Sequence, residues 1–192
     1  MDDFELVKQI KKGNSNAYRF MVSKHERLVF NIAWRMAGQH QADIEDIAQE
    51  VFIKVYKNIK SYRNESKLST WIASIAWKTS IDFIRRKTRN KLNFTDEPEL
   101  HETQYENNVF ENIKQSELKK VVSETLAKLP VQYQSVLSLY YLEEFSYAEI
   151  QEITNMPLGT IKSYLNRAKN IFKSEIENKH GHNAIQLLYN DK

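Results

Sequence analysis

The sequence predicts an all-α protein built as two small helical domains joined by an acidic connector. Three observations lead there. Only four glycines and three prolines occur in 192 residues, so helix breakers are scarce. Apolar residues recur at three- and four-residue spacings along most of the chain, the period of a helix with one buried face. Charge is also segregated: residues 1–92 are net +8, residues 93–112 hold six acidic and no basic groups, and residues 113–192 are net +1. At 41% hydrophobic and 28% charged residues, both ends can bury a core, and 192 residues exceed the usual single domain of about 100–150. The absence of cysteine excludes disulfides and thiolate metal sites. The acidic start Met1-Asp2-Asp3-Phe4 is no signal peptide, and no apolar run approaches the roughly 18 residues that span a bilayer. A cytoplasmic protein with no membrane insertion of its own, and no cofactor, is expected.

Taken in order, Phe4, Leu6, Val7 and Ile10 mark a short helix that stops at Gly13. Ala17, Phe20, Met21, Leu28, Ile32 and Met36 mark a long helix over 14–37 that ends at Gly38. His25, inside it, is expected at the surface or its boundary, with no second ligand at metal spacing. A third helix over 41–59 turns Ile44, Ile47, Ala48, Val51, Phe52 and Val55 inward. The polar loop 60–68 follows, and Ser69 or Thr70 is expected to cap a fourth helix carrying Trp71, Ile72, Ile75, Ala76, Ile81 and Ile84. That helix closes on the basic run Arg85-Arg86-Lys87-Thr88-Arg89-Asn90-Lys91.

Residues 93–113 hold Asp96, Glu97, Glu99, Glu102, Glu106 and Glu111, a composition that favours a solvated tether over a core. The helical pattern resumes from Lys114 with Leu118, Val121, Val122, Leu126 and Leu129, up to Pro130. Tyr133, Val136, Leu137, Tyr140 and Tyr141 then read as the core side of another helix. Ser146 and Glu149 have capping-box spacing at the head of a helix containing Ala148, Ile150 and Ile153. Asn155-Met156-Pro157-Leu158-Gly159 breaks that pattern, and Leu158, Ile161, Leu165, Ala168 and Phe172 line one face of the next helix. The tail 179–192 reads as disordered, with an apolar patch at 184–189 and two histidines, His180 and His182, that are weak evidence for a metal.

The chemistry lies on polar faces. Thr160, Ser163, Arg167 and Asn170, flanked by Lys162, Asn166, Lys169 and Lys173, give the last helix donors for phosphates and base edges. A helix about 10–12 Å across fits the major groove, so 145–172 reads as a helix-turn-helix. In the third helix, Asp43, Glu45, Asp46 and Glu50 admit three readings: dipole-stabilising acids, a metal-holding carboxylate cluster, or a protein-docking surface formed by Asp46, Gln49, Glu50, Ile53 and Lys54. In the loop and fourth helix, Tyr62, Trp71 and Trp77 among Lys and Arg are candidate stacking platforms for unpaired bases, with Trp71 on its own more simply core.

The order of these motifs resembles the extracytoplasmic-function sigma factors of bacterial RNA polymerase. The stretch Asp43-Ile44-Glu45-Asp46-Ile47-Ala48-Gln49-Glu50-Val51-Phe52-Ile53-Lys54-Val55-Tyr56 is similar to their polymerase-binding helix. Trp71-Ile72-Ala73-Ser74-Ile75-Ala76, Asp82 and Phe83-Ile84-Arg85-Arg86-Lys87 resemble the end of their region two. Leu126-Ala127-Lys128-Leu129-Pro130, Ser146-Tyr147-Ala148-Glu149-Ile150, Gly159-Thr160-Ile161-Lys162-Ser163 and Arg167-Ala168 resemble region four. The resemblance covers residues 3–176. It implies region two at 1–92, a linker at 93–113 that threads towards the polymerase active site, region four at 114–178 and a tail at 179–192.

By the same resemblance, Asp43, Asp46, Gln49, Glu50, Ile53 and Lys54 would dock on core polymerase. Tyr62, Arg63, Asn64, Lys67, Trp71, Trp77, Lys78, Asp82, Arg85 and Arg86 would capture the melted minus-ten strand. Thr160, Lys162, Ser163, Tyr164, Asn166, Arg167 and Lys169 would read the minus-thirty-five duplex. An anti-sigma factor is the further partner it implies. Two positions depart from the family pattern. Lys78 stands where asparagine is usual, four residues before Asp82, and lysine offers charge but no acceptor for paired bonds to a base. Tyr164 stands where a small or basic residue is usual.

The expected function is thus promoter selection for core polymerase, without covalent chemistry. The alternatives are a conventional helix-turn-helix regulator binding duplex by itself, and a metal-dependent nuclease using Asp43, Asp46 and Glu50.

Overall fold

The computed structural model describes residues 2–38, 40–93, 125 and 129–180. Seven α-helices are seen among them: α1 (Asp3–Lys11), α2 (Ser15–Ala37), α3 (Gln41–Asn58), α4 (Leu68–Asn93), α5 (Val131–Tyr141), α6 (Tyr147–Thr154) and α7 (Leu158–His180), with a single 3₁₀ turn at Ile59–Ser61. The acidic stretch 94–113, residues 114–124 and 126–128 of the helix expected from Lys114 up to Pro130, and the tail from residue 181, with His182 and the apolar patch, lie outside the described residues.

The chain divides into two compact units. The first holds α1–α4 together with segment 148–156, and the second holds α5 and α7. Compactness and chain order therefore part at α6, which the sequence groups with the residues on either side of it.

In the first unit α2 packs on α1, α3 and α4, and α3 packs on α4. Leu6, Met21, Val29, Ile47, Val51, Val55, Leu68 and Ile72 are wholly buried there, each such side chain stabilising by roughly 1.5–3 kcal/mol. Local chemistry sets the helix ends. The Asp2 carboxylate accepts from the Glu5 amide at 2.8 Å, and Asn14 Oδ1 accepts from the Asn16 and Ala17 amides at 3.0 and 3.2 Å. Gly13 and Gly38 stand at φ +87° and +79°, conformations that end α1 and α2 and that side chains with a Cβ disfavour.

Several expectations need correction here. His25 is buried at 5% exposure, not at the surface, because α2 is covered on several sides and its apolar stripe widens to include it. Phe20, expected in that stripe, is exposed, as is Phe4. Ser69 and Thr70 do not cap α4, which already begins at Leu68: the Lys67 carbonyl accepts from the Trp71 amide at 3.1 Å. Helix α7 continues to His180, so Lys179 and His180 are helical and not part of an unstructured tail.

The second unit packs α5 against α7. Leu129, Val136, Leu139, Ile161, Leu165 and Ala168 are buried, and Tyr133, Leu137, Ile171 and Phe172 pack around Leu129 and Ala168. Tyr141 and Leu158, expected on apolar faces, are exposed.

Candidate nucleic-acid and protein interfaces

On the first unit, α3 presents Asp46, Gln49, Ile53 and Tyr56 outward, at offsets of three, seven and ten residues that fall on one helical face. Ile53 is 47% exposed and Tyr56 is 59% exposed, two large apolar groups beside an acid and an amide. The Tyr56 ring stands edge-on to Tyr18 at 5.0 Å, and the Tyr18 hydroxyl donates to the Phe52 carbonyl at 2.7 Å. Burial pushes that hydroxyl up to about 12, so it stays a donor.

Asp43 and Glu50 point elsewhere. Asp43 pairs with Lys87 of α4 and, at 3.5 Å, with His40. Glu50 pairs with Lys54 at 2.8 Å and with Arg86 of α4 at 2.7 Å, while Lys54 also donates to Thr79 Oγ1 at 3.1 Å. Burial raises the Glu50 pKa, but the hydrogen bonds and charges of Lys54 and Arg86 outweigh it, and the net result lies below the usual carboxylate value. The acidic cluster is therefore split: half braces α3 to the basic end of α4, and half faces solvent. Of the three carboxylates the nuclease alternative would use, Asp43 and Glu50 are thus paired with cations of α4 while Asp46 is exposed. Among the described residues no group of three or more His, Asp or Glu side chains is arranged to hold a metal ion.

The loop before α4 is pinned from inside. The Tyr62 side chain is 5% exposed; its hydroxyl donates to the Ser66 carbonyl at 2.6 Å and reaches Asn64 Oδ1 at 3.1 Å. Its own carbonyl accepts from Lys11 Nζ at 2.7 Å, and its ring lies 5.2 Å from Trp71. Asn64 sits at φ +59°, one of the few non-glycine types that tolerate this conformation. Burial raises the Tyr62 pKa.

This corrects two stacking platforms. Tyr62 and Trp77, at 5% and 4% exposure, lie in the core and present no ring face to a base, whereas Trp71 is half-exposed. The reason is helical phase: Trp71, Lys78, Asp82 and Arg85 share one face of α4, and Trp77 lies roughly 100° round the helix, on its buried side. Arg63, Asn64, Lys67, Lys78, Asp82, Arg85 and Arg86 are all exposed.

The second surface is built on α7. In the connection before it, Thr154 Oγ1 donates to the Ile150 carbonyl at 2.7 Å and accepts from the Met156 amide at 3.2 Å, and Asn155 takes φ +57°. The Pro157 carbonyl then accepts from the Thr160 and Ile161 amides at 2.9 and 3.1 Å, opening α7. With Ile161, Leu165 and Ala168 inward, Lys162, Asn166, Arg167 and Lys169 are exposed, and Thr160, Ser163 and Tyr164 are half-buried.

Two exposed cations of α7 rest on tyrosines of α5. Arg167 Nη1 donates to the Tyr133 hydroxyl at 3.3 Å, and Tyr133 meets Tyr164 edge-to-face at 4.9 Å. Lys169 Nζ lies 5.4 Å from the ring centre of Tyr141, which is edge-on to Tyr140, itself stacked on Tyr147. The Tyr133 hydroxyl raises the Arg167 pKa and Tyr141 raises that of Lys169, so both keep their charge. Sequence reasoning assigned Tyr133 and Tyr141 to the core by spacing alone. No local signal separates a core tyrosine from one whose tip holds a cation.

Among the described residues no helix is long and apolar enough to cross a membrane. The chain matches the family models described as Sigma-70 region 2, over residues 21–90, and Sigma-70, region 4, over residues 119–170. The ECF RNA polymerase sigma factor SigW of Bacillus subtilis is 34% identical over 181 residues, covering 88% of this chain and 94% of that protein. The ECF RNA polymerase sigma-E factor of Haemophilus influenzae is 30% identical over 187 residues, covering 92% and 96%. Among solved structures, CnrH in complex with the cytosolic domain of CnrY shares the fold at a TM-score of 0.63 and 18% identity, covering 92% of this chain and 98% of that one. RpoE of Bartonella quintana, in complex with the anti-sigma factor NepR, does so at 0.63 and 20% identity, covering 85% and 98%.

Proposed function

The chain belongs to the ECF sigma factors of RNA polymerase, and from that premise we propose how its surfaces divide the work. Proteins of this family direct core polymerase to specific promoters by binding minus-ten and minus-thirty-five DNA, and this chain does the same. Residues 1–92 act as region two and residues 114–178 as region four, with 93–113 as the linker between them.

The exposed face of α3, Asp46, Gln49, Ile53 and Tyr56, docks on core polymerase. Asp43, Glu50 and Lys54 support it by fixing α3 against α4. The melted minus-ten strand lies along Arg63, Asn64, Lys67, Trp71, Lys78, Asp82, Arg85 and Arg86, with Tyr62 and Trp77 shaping that surface from below. Lysine at 78 contributes charge without paired base contacts. The minus-thirty-five duplex is read by Thr160, Lys162, Ser163, Asn166 and Arg167, with Lys169 on a phosphate. The chain acts by binding and makes no covalent change to DNA or RNA, and it works in the cytoplasm. An anti-sigma factor is its regulatory partner, a reading supported by the RpoE–NepR complex of a protein with the same fold.

One observation carries this function: both sigma regions match in order on one chain, alongside a relative 34% identical over nearly its whole length. In-vitro transcription with purified core enzyme on a randomised promoter library tests it. Adding the chain is expected to start RNA synthesis at a defined class of promoters. Co-purification with core and no change in start sites would overturn it.

A further inference from the structure

Tyr164 stands on the reading helix α7, and the structure gives it a partner. Its ring meets Tyr133 of α5 edge-to-face, at 4.9 Å between centres and 68° between planes. The Tyr133 hydroxyl in turn accepts from Arg167, one helical turn beyond Tyr164 on the same face of α7. The two rings are half-buried and the guanidinium is exposed. The three residues form a single chain of contact: ring to ring, then hydroxyl to guanidinium.

The chemistry of the contact matters. An exposed arginine samples many rotamers, and base readout needs its planar fork in one orientation. A carboxylate would hold the fork but would also neutralise it and repel the DNA phosphates. A phenol hydroxyl takes one of the five donors and leaves both the charge and the remaining donors free. Tyr133 could not do this while swinging freely on α5; packing on Leu129 and Ala168 holds one side of its ring, and the edge-to-face contact with Tyr164 fixes the other.

We propose that Tyr133 is the positioning residue for Arg167 in minus-thirty-five readout and that Tyr164 is its brace, not a DNA contact. The inference rests on the assignment of Arg167 as a base reader.

The test uses full-length chain in holoenzyme on a promoter library randomised across the minus-thirty-five element. Arg167→Ala identifies the base position that Arg167 reads, by loss of preference there. Tyr133→Phe keeps the ring and removes the hydroxyl. It is expected to relax preference at that same position by about three- to tenfold, the size of one lost hydrogen bond, and to leave the other positions and the thermal midpoint unchanged. Tyr164→Phe keeps the brace and should retain selectivity, while Tyr164→Ala should reproduce Tyr133→Phe. Undiminished preference in Tyr133→Phe, or a loss spread evenly over all positions as a packing defect would give, overturns the inference while Arg167 stands. If Arg167→Ala relaxes no position, the base-reader assignment fails first and the inference falls with it.

Discussion

His25 sits in the core with its Nε2 lacking a hydrogen-bond partner among the described residues. Burial, aided by Lys24 and opposed by Asp3, holds its pKa below the usual 6.5. The unfolded chain therefore takes up a proton near pH 6.5 that the folded one refuses, and stability present above that value declines as pH falls below it. Thermal midpoints are expected to drop between pH 7 and 5 in the wild type, and His25→Leu should flatten that slope. An equal slope in the variant would refute the assignment. Glu50 gives a second, separate window: its folded pKa is depressed, so the stability from its pairs with Lys54 and Arg86 holds above about 4.5 and is lost below it. Neither behaviour follows from the sequence, where His25 reads as a boundary residue and Glu50 as one acid among four. Burial and partner are long-range facts.

At the level of the helix, the acidic opening of α3 serves two purposes that charge reversal separates. Asp46→Lys alters an exposed position and should change stability by less than about 0.5 kcal/mol while weakening association with core polymerase, as pull-down with purified core would measure. Glu50→Lys sets a cation against Arg86 and Lys54 and should lower the unfolding midpoint as well. Equal core binding by Asp46→Lys and wild type would remove this face from the interface. On α7, Lys162 is exposed and suited to a phosphate. Lys162→Ala should weaken minus-thirty-five binding nearly uniformly across sequences and shift the log–log salt slope by about one unit. The helices themselves were readable from spacing and caps: Asn14, Gly13 and Gly38 set ends where the residue types demanded them. The start of α4 was not, because Ser69 and Thr70 look like caps and only the Lys67 carbonyl bond to Trp71 shows the helix already under way.

Across the whole molecule, the proposed division gives the basic residues two surfaces, one for melted and one for duplex DNA. Each alone offers only a handful of phosphate contacts, an affinity that is weak and steeply salt-dependent. The free chain should therefore bind duplex promoter poorly at physiological salt and gain affinity sharply when core polymerase is added, a difference that fluorescence anisotropy would follow. Tight binding by the free chain as a dimer would instead favour a conventional helix-turn-helix regulator.

The sequence by itself determined the all-α class, most helix spans among the described residues, the order of the two regions and the positions of the charged faces, because these depend on spacing, propensity and composition, which are local. Tertiary structure decided which members of each face are available. It turned Tyr62 and Trp77 into the core while leaving Trp71 half-exposed, set Asp43 and Glu50 against Lys87 and Arg86, and placed the Tyr133 hydroxyl on Arg167. Those outcomes depend on which helix lies across the gap, and residues 34 or more positions apart in the chain carry no mark of meeting until the helices pack.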